Sequence, residues 1–336
     1  MSLFKLNKTI ETPFFSKSKL IILIFFLSLL FLFQDWNEFG FSIFEEGMPL
    51  SGSTNFEMGL KPWLDLYLNT GLFHDLLNAK ISWTLFDYKT IGSYKFYIKL
   101  LDLISHVLVL YFLYKLSCQI SSKDIKELFF LLTVFFFFIS LNNAILWKDI
   151  PVILFLTFIL KYLNNEKKIF SIFIISFLSV FTFFWSLDRG FIIFLTFIPF
   201  LILVFINNKK DFIKFVLTLS FYIGIFSIIL GHEILLSFLI HSSEILTQHE
   251  MINGIIHPQP FSDEKNATRA TKALLLIIIN SIYTILIIFY RHKLFNNNTK
   301  FLFIFFQIIN FLIYKSALSR SDGGHIQIAS YLSILI

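Results

Sequence analysis

The sequence predicts an all-α, polytopic integral membrane protein with about ten transmembrane helices. Three observations carry this expectation. Of the 336 residues, 56% are hydrophobic and 15% charged, and the mean hydropathy is +0.75; a soluble domain carries about 25% charged residues. Apolar runs of spanning length recur along the chain. The gaps between them alternate between short basic stretches and longer acidic or polar ones. The 47 phenylalanines are not read as aromatic function, because abundant Phe, Ile, Asn and Lys also fit drift in an AT-rich genome.

The candidate spans are 18–34, 97–116, 129–146, 150–164, 169–187, 190–207, 213–231, 273–290, 300–317 and 326 onward. The first follows Lys5, Lys8, Lys17 and Lys19. No small-x-small cleavage site comes after it, so it reads as an uncleaved span rather than a signal peptide. The fourth is short and opens on Pro151, which suits a first helical turn. It is either tilted or one arm of a broken hairpin over 129–164. The last run stops at Ile336 while still apolar, so the sequence is expected either to be a fragment or to end within the membrane. All of 1–336 reads as one transmembrane domain, with 35–96 as its structured outer loop.

Lysine and arginine bias sets the expected orientation, with the N-terminus inside. The stretches "SSKDIKE", "KYLNNEKK", "NNKKDFIK" and "RHKLFNNNTK" then lie inside. Segments 35–96, 141–149, 187–190, 232–272 and 316–325 lie on the periplasmic face and hold most of the Glu, Asp and His. The same lysines account for the net charge of +6, so no nucleic-acid partner is expected. A single cysteine, Cys118, excludes an intrachain disulfide, and no Cys/His metal spacing occurs. Residues 35–96 exceed a minimal turn, and amphipathic helices are expected over roughly 55–68 and 71–86. They would bury Trp63, Leu64, Tyr67, Leu72, Phe73, Leu76 and Leu77 against the membrane or the span ends.

Several outer residues are candidates for chemistry: Glu45, Glu46 and Asp65 in the first loop, Lys148 and Asp149, Asp188 and Arg189, and Arg320, Asp322 and His325. Each has a plainer reading. Asp188-Arg189 is also what a wet turn between two spans looks like, Lys148-Asp149 a solvated pair, and 320–325 a polar turn. His232 and Glu233 read as surface residues, and His241, His249 and His257 lack ligand spacing. The Asn266-Ala267-Thr268 sequon matters only in a eukaryotic secretory setting. The chemistry that wants such a face is sugar transfer from a lipid phosphate. A carboxylate can accept the proton of a poorly nucleophilic hydroxyl, and cations can stabilise the departing phosphate.

The stretch "FEEGMPLSGSTNFEMGLKPWLDLYLNTGLFHDLL" resembles the first outer loop of bacterial membrane glycosyltransferases of the GT-C type. The matching features are Glu46-Gly47, the run Gly59 to Asp65, and Gly71 through Leu77, joined by "DRG" at 188–190 and "SRSDGGH" at 319–325. Trp63 stands where Tyr or Phe is usual, and the large soluble domain of many members is not seen after the spans. The resemblance implies an inverting transfer from a polyprenyl-phosphate sugar donor to an envelope glycan, lipid or protein acceptor, within membrane lipids. It implies Glu46 as general base, with Glu45 not separated from it, and Asp65 as a second carboxylate. Arg189 and Arg320 would bind the donor phosphate with help from His325, while Asp188 and Asp322 position those cations or meet sugar hydroxyls. A divalent cation (Mg or Mn) is left open, because some members use one. The competing class is a transporter or flippase of a lipid-linked sugar, for which Asp102 and His106 in the second span would be the midplane feature.

The orientation is directly testable. With cysteines placed by Glu57→Cys and Lys209→Cys, a membrane-impermeant maleimide added outside intact cells is expected to label position 57 and spare 209. Equal labelling of both sinks the topology.

Overall fold

The computed structural model describes residues 13, 15–34, 46–120, 123–140, 147–247, 259–264, 267–289 and 297–318. The expectations for Glu45, Arg320, Asp322, His325 and the run from 326 lie outside these residues. The described chain is helical: α1 (Lys17–Gln34), α2 (Gly47–Glu57), α3 (Asn78–Phe86), α4 (Ile91–Ser117), α5 (Lys123–Ser140), α6 (Ile150–Leu163), α7 (Lys168–Trp185), α8 (Leu187–Asn207), α9 (Lys209–Leu230), α10 (His232–Thr247), α11 (Ala267–Phe289) and α12 (Asn297–Leu318). In its described residues, each candidate span up to 317 lies largely on one of these helices, with 169–187 running past the end of α7 at Trp185. Six helices among the described residues are long and apolar enough to cross a membrane: α4, α7, α8, α9, α11 and residues 300–318 of α12. This is a multi-pass, all-α membrane protein.

The short fourth span has a physical explanation. Helix α6 is apolar all round, and Val152, Phe155, Leu156, Ile159 and Leu163 are each fully buried. It packs against α4, α7, α8 and α12. A helix wrapped by its neighbours is the centre of the bundle and has no lipid-facing stripe to supply. Helix α9 is the opposite case. It buries Asp211 and Phe215 and turns most of its remaining apolar side chains outward, as a rim helix in lipid does.

The two ends of the bundle are held differently. At the end carrying the basic connections, the Asp211 carboxylate meets Lys168 at 2.6 Å, Asn208 Nδ2 at 2.8 Å and the Tyr162 hydroxyl at 3.2 Å. Asn208 Oδ1 also caps α9 by accepting from the backbone N–H groups of Lys210 and Asp211. Asn298 Nδ2 donates to the Leu163 carbonyl at 2.7 Å, tying α12 to α6. The first loop sits at the other end. There the Leu187 N–H donates to the Thr70 carbonyl at 2.6 Å, and the Trp147 N–H donates to Asp102 Oδ1 at 3.1 Å. The alternation of basic and acidic segments read from the sequence therefore corresponds to two ends of one bundle.

The first loop corrects one expectation. Its first helix covers 47–57 rather than 55–68. Pro49 falls in the first turn, where its missing N–H costs nothing. The helix stops at Gly59 (φ +93°), and Pro62 with Trp63 (φ +59°) makes a non-helical turn; the residue before proline is steered away from helix. The second helix forms as expected, opening with a π-helical turn over Phe73–Leu77 that runs into α3. Trp63 and Leu76 are buried, but Leu64 and Tyr67 are exposed. Trp63 packs on α10, with its ring 5.0 Å from Phe238, so this loop is anchored to a helix of the 232–272 segment.

Two glycines allow the close approaches this architecture needs. A Cβ on Gly190 would lie 2.6 Å from Phe183 Cα, where α7 and α8 turn against each other. A Cβ on Gly52 would lie 2.1 Å from the Asp75 carbonyl oxygen, where α2 rests on the π-helical turn. Gly190→Ala is expected to cost about 1–3 kcal/mol through overpacking. Gly224→Ala, at a site with nothing within 4 Å, is the control and should leave stability unchanged or slightly raised. Thermal unfolding in detergent measures both.

Candidate functional site

The segment "WSLDRG" turns α7 into α8. Ser186 is extended (φ −156°, ψ 124°), and its hydroxyl donates to Asp188 Oδ1. The Arg189 N–H donates to the same oxygen at 2.8 Å, a first-turn carboxylate using the helix's unpaired donors. The Arg189 guanidinium then bridges two acids. Its Nε donates to Asp149 Oδ1 at 2.6 Å, and its Nη1 donates to Asp188 Oδ2 at 2.7 Å. Asp149 is 0% exposed and Arg189 6%. The Asp188 side chain keeps 38% exposure.

Asp149 stands at the N-cap of α6 and makes no side-chain cap there; its carboxylate is turned to Arg189 instead. The single 3₁₀ turn Trp147–Asp149 places Lys148 near enough to act electrostatically on both Asp188 and His74. The readings of Asp188-Arg189 as a wet turn and of Lys148-Asp149 as a solvated pair are thus corrected. Each takes part in a network closing one end of the bundle, and burial demands that its charges be paired.

The first loop completes the cluster. Gly71 (φ +144°) lets the backbone lie on Ser186, and a Cβ there would sit 3.1 Å from Ser186 Cα. The chain then enters the π-helical turn with His74 and Asp75. The Thr70 and Gly71 N–H groups donate to Asp75 Oδ2 at 2.8 and 3.2 Å, and His74 Nδ1 lies 2.7 Å from Asp75 Oδ1. The imidazole stacks on Trp147 with centroids 5.2 Å apart. Beside it Phe73 stacks on Trp185 at 4.0 Å, and Trp147 meets Trp185 edge-on at 5.8 Å. These rings form an aromatic wall next to the charges.

The environment fixes the protonation states. Burial pushes the His74 pKa down, Lys148 pushes it the same way, and the Asp75 contact opposes both without overcoming them. Burial alone would raise the Asp75 carboxyl, but the His74 bond and the two backbone donors hold it below its ordinary value. At neutral pH the pair is therefore an ionised carboxylate and a neutral imidazole. Nδ1 carries the proton toward Asp75, and Nε2 presents its lone pair.

Of the other expected site residues, Glu46 opens α2 and forms an ion pair with Lys95 at 3.0 Å. Asp65 closes its own turn. Its Oδ2 accepts the Lys61 N–H at 2.7 Å, its N–H returns to the Lys61 carbonyl at 3.0 Å, and the residue is exposed. Asp102 accepts from Trp147 and so holds α4 to the 3₁₀ turn. Among the described residues no group of three or more His, Cys, Asp or Glu is placed to hold a metal ion. His74 and Asp75 were not picked out as site residues from sequence, although one signal was there: two adjacent polar residues in the apolar pattern "GLFHDLL". No protein-family model, no curated protein and no solved structure matches this chain.

Removing Arg189 takes from the buried Asp149 carboxylate the guanidinium it is paired with. Arg189→Ala is expected to cost about 3–5 kcal/mol. Asp188→Asn, at a partly exposed position that still leaves Arg189 paired with Asp149, should cost well under half of that. Melting temperatures in one detergent compare the two.

Proposed function

We propose that the chain is a glycosyltransferase of the GT-C type, moving a sugar from a polyprenyl-phosphate donor to an envelope glycan, lipid or protein acceptor on the periplasmic face of a bacterial inner membrane. One observation supports this reading beyond the sequence resemblance. Lys148, Arg189 and a partly exposed Asp188 converge with an aromatic wall at the loop end of the spans. A lipid-linked sugar phosphate offers, at that depth, an anion for a cation, hydroxyls for a carboxylate and a sugar face for an aromatic ring.

The geometry redistributes the roles. Arg189 is committed to Asp149 and Asp188, so it positions Asp188 and supplies fixed positive charge. Lys148 is the residue assigned to the donor phosphate, and Asp188 to the sugar hydroxyls. Preorganised charges of this kind stabilise the phosphate as it leaves without reorganising during the reaction. Glu46 is the residue that the resemblance assigns to the acceptor's proton.

The test uses purified protein in nanodiscs, radiolabelled polyprenyl-phosphate sugars and extracted envelope acceptors. Label is expected to move to the acceptor only with the lipid donor. Lys148→Ala should weaken donor binding roughly ten- to hundredfold, the worth of a hydrogen bond to a charged group. Donor carried across vesicles with no transfer of its sugar makes the protein a flippase. Absence of donor binding ends both readings.

A further inference from the structure

We propose that His74, held by Asp75, is the group that takes the proton from the attacking hydroxyl. This rests on the glycosyl-transfer reading and deepens it by naming the base, in place of Glu46.

The argument is geometric first. Asp75 is fixed from behind, because the Thr70 and Gly71 N–H groups both donate to its Oδ2. Its other oxygen takes the His74 Nδ1 proton at 2.7 Å. That bond sets the tautomer and turns Nε2 away from the carboxylate. The Trp147 ring under the imidazole restricts it further. His74 Nε2 has no hydrogen-bond partner among the described residues, while the side chain keeps 12% exposure. A neutral imidazole with one nitrogen committed to a buried carboxylate and the other open is the arrangement of a general base with its orienting acid. Glu46 differs in having an ammonium 3.0 Å away.

The dyad is also at the right place. The Thr70 carbonyl accepts the Leu187 N–H, so the turn bearing His74 is bonded to the start of the helix bearing Asp188 and Arg189. The charged groups acting on His74 are Asp75 from its own turn, Lys148 from the 3₁₀ turn and Asp188 from α8.

The step balances. The acceptor O–H gives its proton to Nε2, and the oxygen forms a bond to the anomeric carbon. The bond from that carbon to the phosphate oxygen breaks, and the electron pair leaves with polyprenyl phosphate beside Lys148. The imidazolium, stabilised by ionised Asp75, afterwards returns its proton to water.

The sign of the pH dependence follows. His74 must be neutral to accept a proton, so activity is present above its pKa and lost as pH falls through it. Burial, Lys148 and Asp75 together place that value below the ordinary 6.5. Removing the Asp75 charge takes away the influence that raises it, so Asp75→Asn should move the acid limb to still lower pH and lower the plateau. A purely structural Asp75 would lower the plateau and leave the limb in place.

Two measurements test this. The first needs no turnover: carbethoxylation of His74 is followed by site-resolved mass spectrometry across pH. The expected result is a reactive His74 with a midpoint below 6.5, moving lower in Asp75→Asn. An unreactive His74, or a midpoint unmoved by Asp75→Asn, overturns the dyad whatever the reaction is. The second is transfer of the radiolabelled sugar. His74→Gln is expected to lower the rate about 10²–10⁴-fold with donor binding kept, and Glu46→Gln to lower it far less. Normal transfer in His74→Gln overturns the proposal and leaves the glycosyltransferase reading standing. Expected labelling with no transfer from any donor does the reverse: it retires the reaction, and His74's part in it, while the dyad remains.

Discussion

The buried bond between Asp149 and Arg189 is the constraint around which this end of the protein is arranged. A carboxylate with no exposure and a guanidinium with 6% tolerate that environment only as partners. The pair joins the first residues of α6, the helix at the centre of the bundle, to the first turn of α8. It thereby sets how far one helix can slide or rotate against the other. Such a pair adds little net stability over an apolar replacement, but it penalises every arrangement in which the charges do not meet. Its contribution is best seen as fixing register. It also decides which groups can meet a ligand, because an arginine holding two acids is a scaffold, and the approachable charges beside it belong to Asp188 and Lys148.

The first loop depends on that fixed point in turn. The Leu187 N–H, an early donor of α8, is satisfied by Thr70 rather than by a side-chain cap. Gly71, at φ +144°, avoids both the backbone strain and the 3.1 Å approach to Ser186 Cα that a Cβ would bring there. From there the chain has one way to continue, into a turn whose own backbone N–H groups grip Asp75. Helix α2 closes over this turn through Gly52, and the Ser53 hydroxyl donates to the Leu76 carbonyl. The orientation of one imidazole is thus traceable through backbone bonds to the α6–α8 ion pair.

How much of this could be read from the sequence divides along the range of the interaction. Apolar length and lysine placement are local properties, and they located the long apolar helices and the two ends of the bundle. "DRG" stood out because it breaks an apolar tract. Asp149 is a candidate too, but its neighbour Lys148 suggests a solvated pair, and nothing nearby announces a partner 40 positions on. The expected first loop helix lies too late in the chain because the apolar residues over 55–68 outweigh the break signals at Gly59 and Pro62, where the structure shows a turn with Trp63 at positive φ. Within that segment Trp63 and Leu68 turn to the protein, and Leu64 and Tyr67 turn away from it. His74 and Asp75 lay within a stretch already read as amphipathic helix, and only the close approach of Gly71 to Ser186 shows why two polar residues face the protein there.

The two ends of the bundle are built on the same idea and differ in one respect that locates function. At the basic end, Asp211 meets Lys168, Lys214, Tyr162 and Asn208, so both of its oxygens are held by side chains of the protein. With 6% side-chain exposure, that carboxylate locks α6, α7 and α9 together and is closed to a ligand. At the loop end the innermost carboxylates, Asp149 and Asp75, are occupied too, but each orients a neighbour with capacity in reserve. Asp149 secures Arg189, which steadies a partly exposed Asp188. Asp75 secures His74, whose side chain keeps 12% exposure. A network paired at its buried core and partly exposed at its rim is rigid where it is buried and reachable where it is exposed, which is the condition for stabilising charge that appears only in a transition state. The basic end meets the first half of that condition, and the loop end meets both.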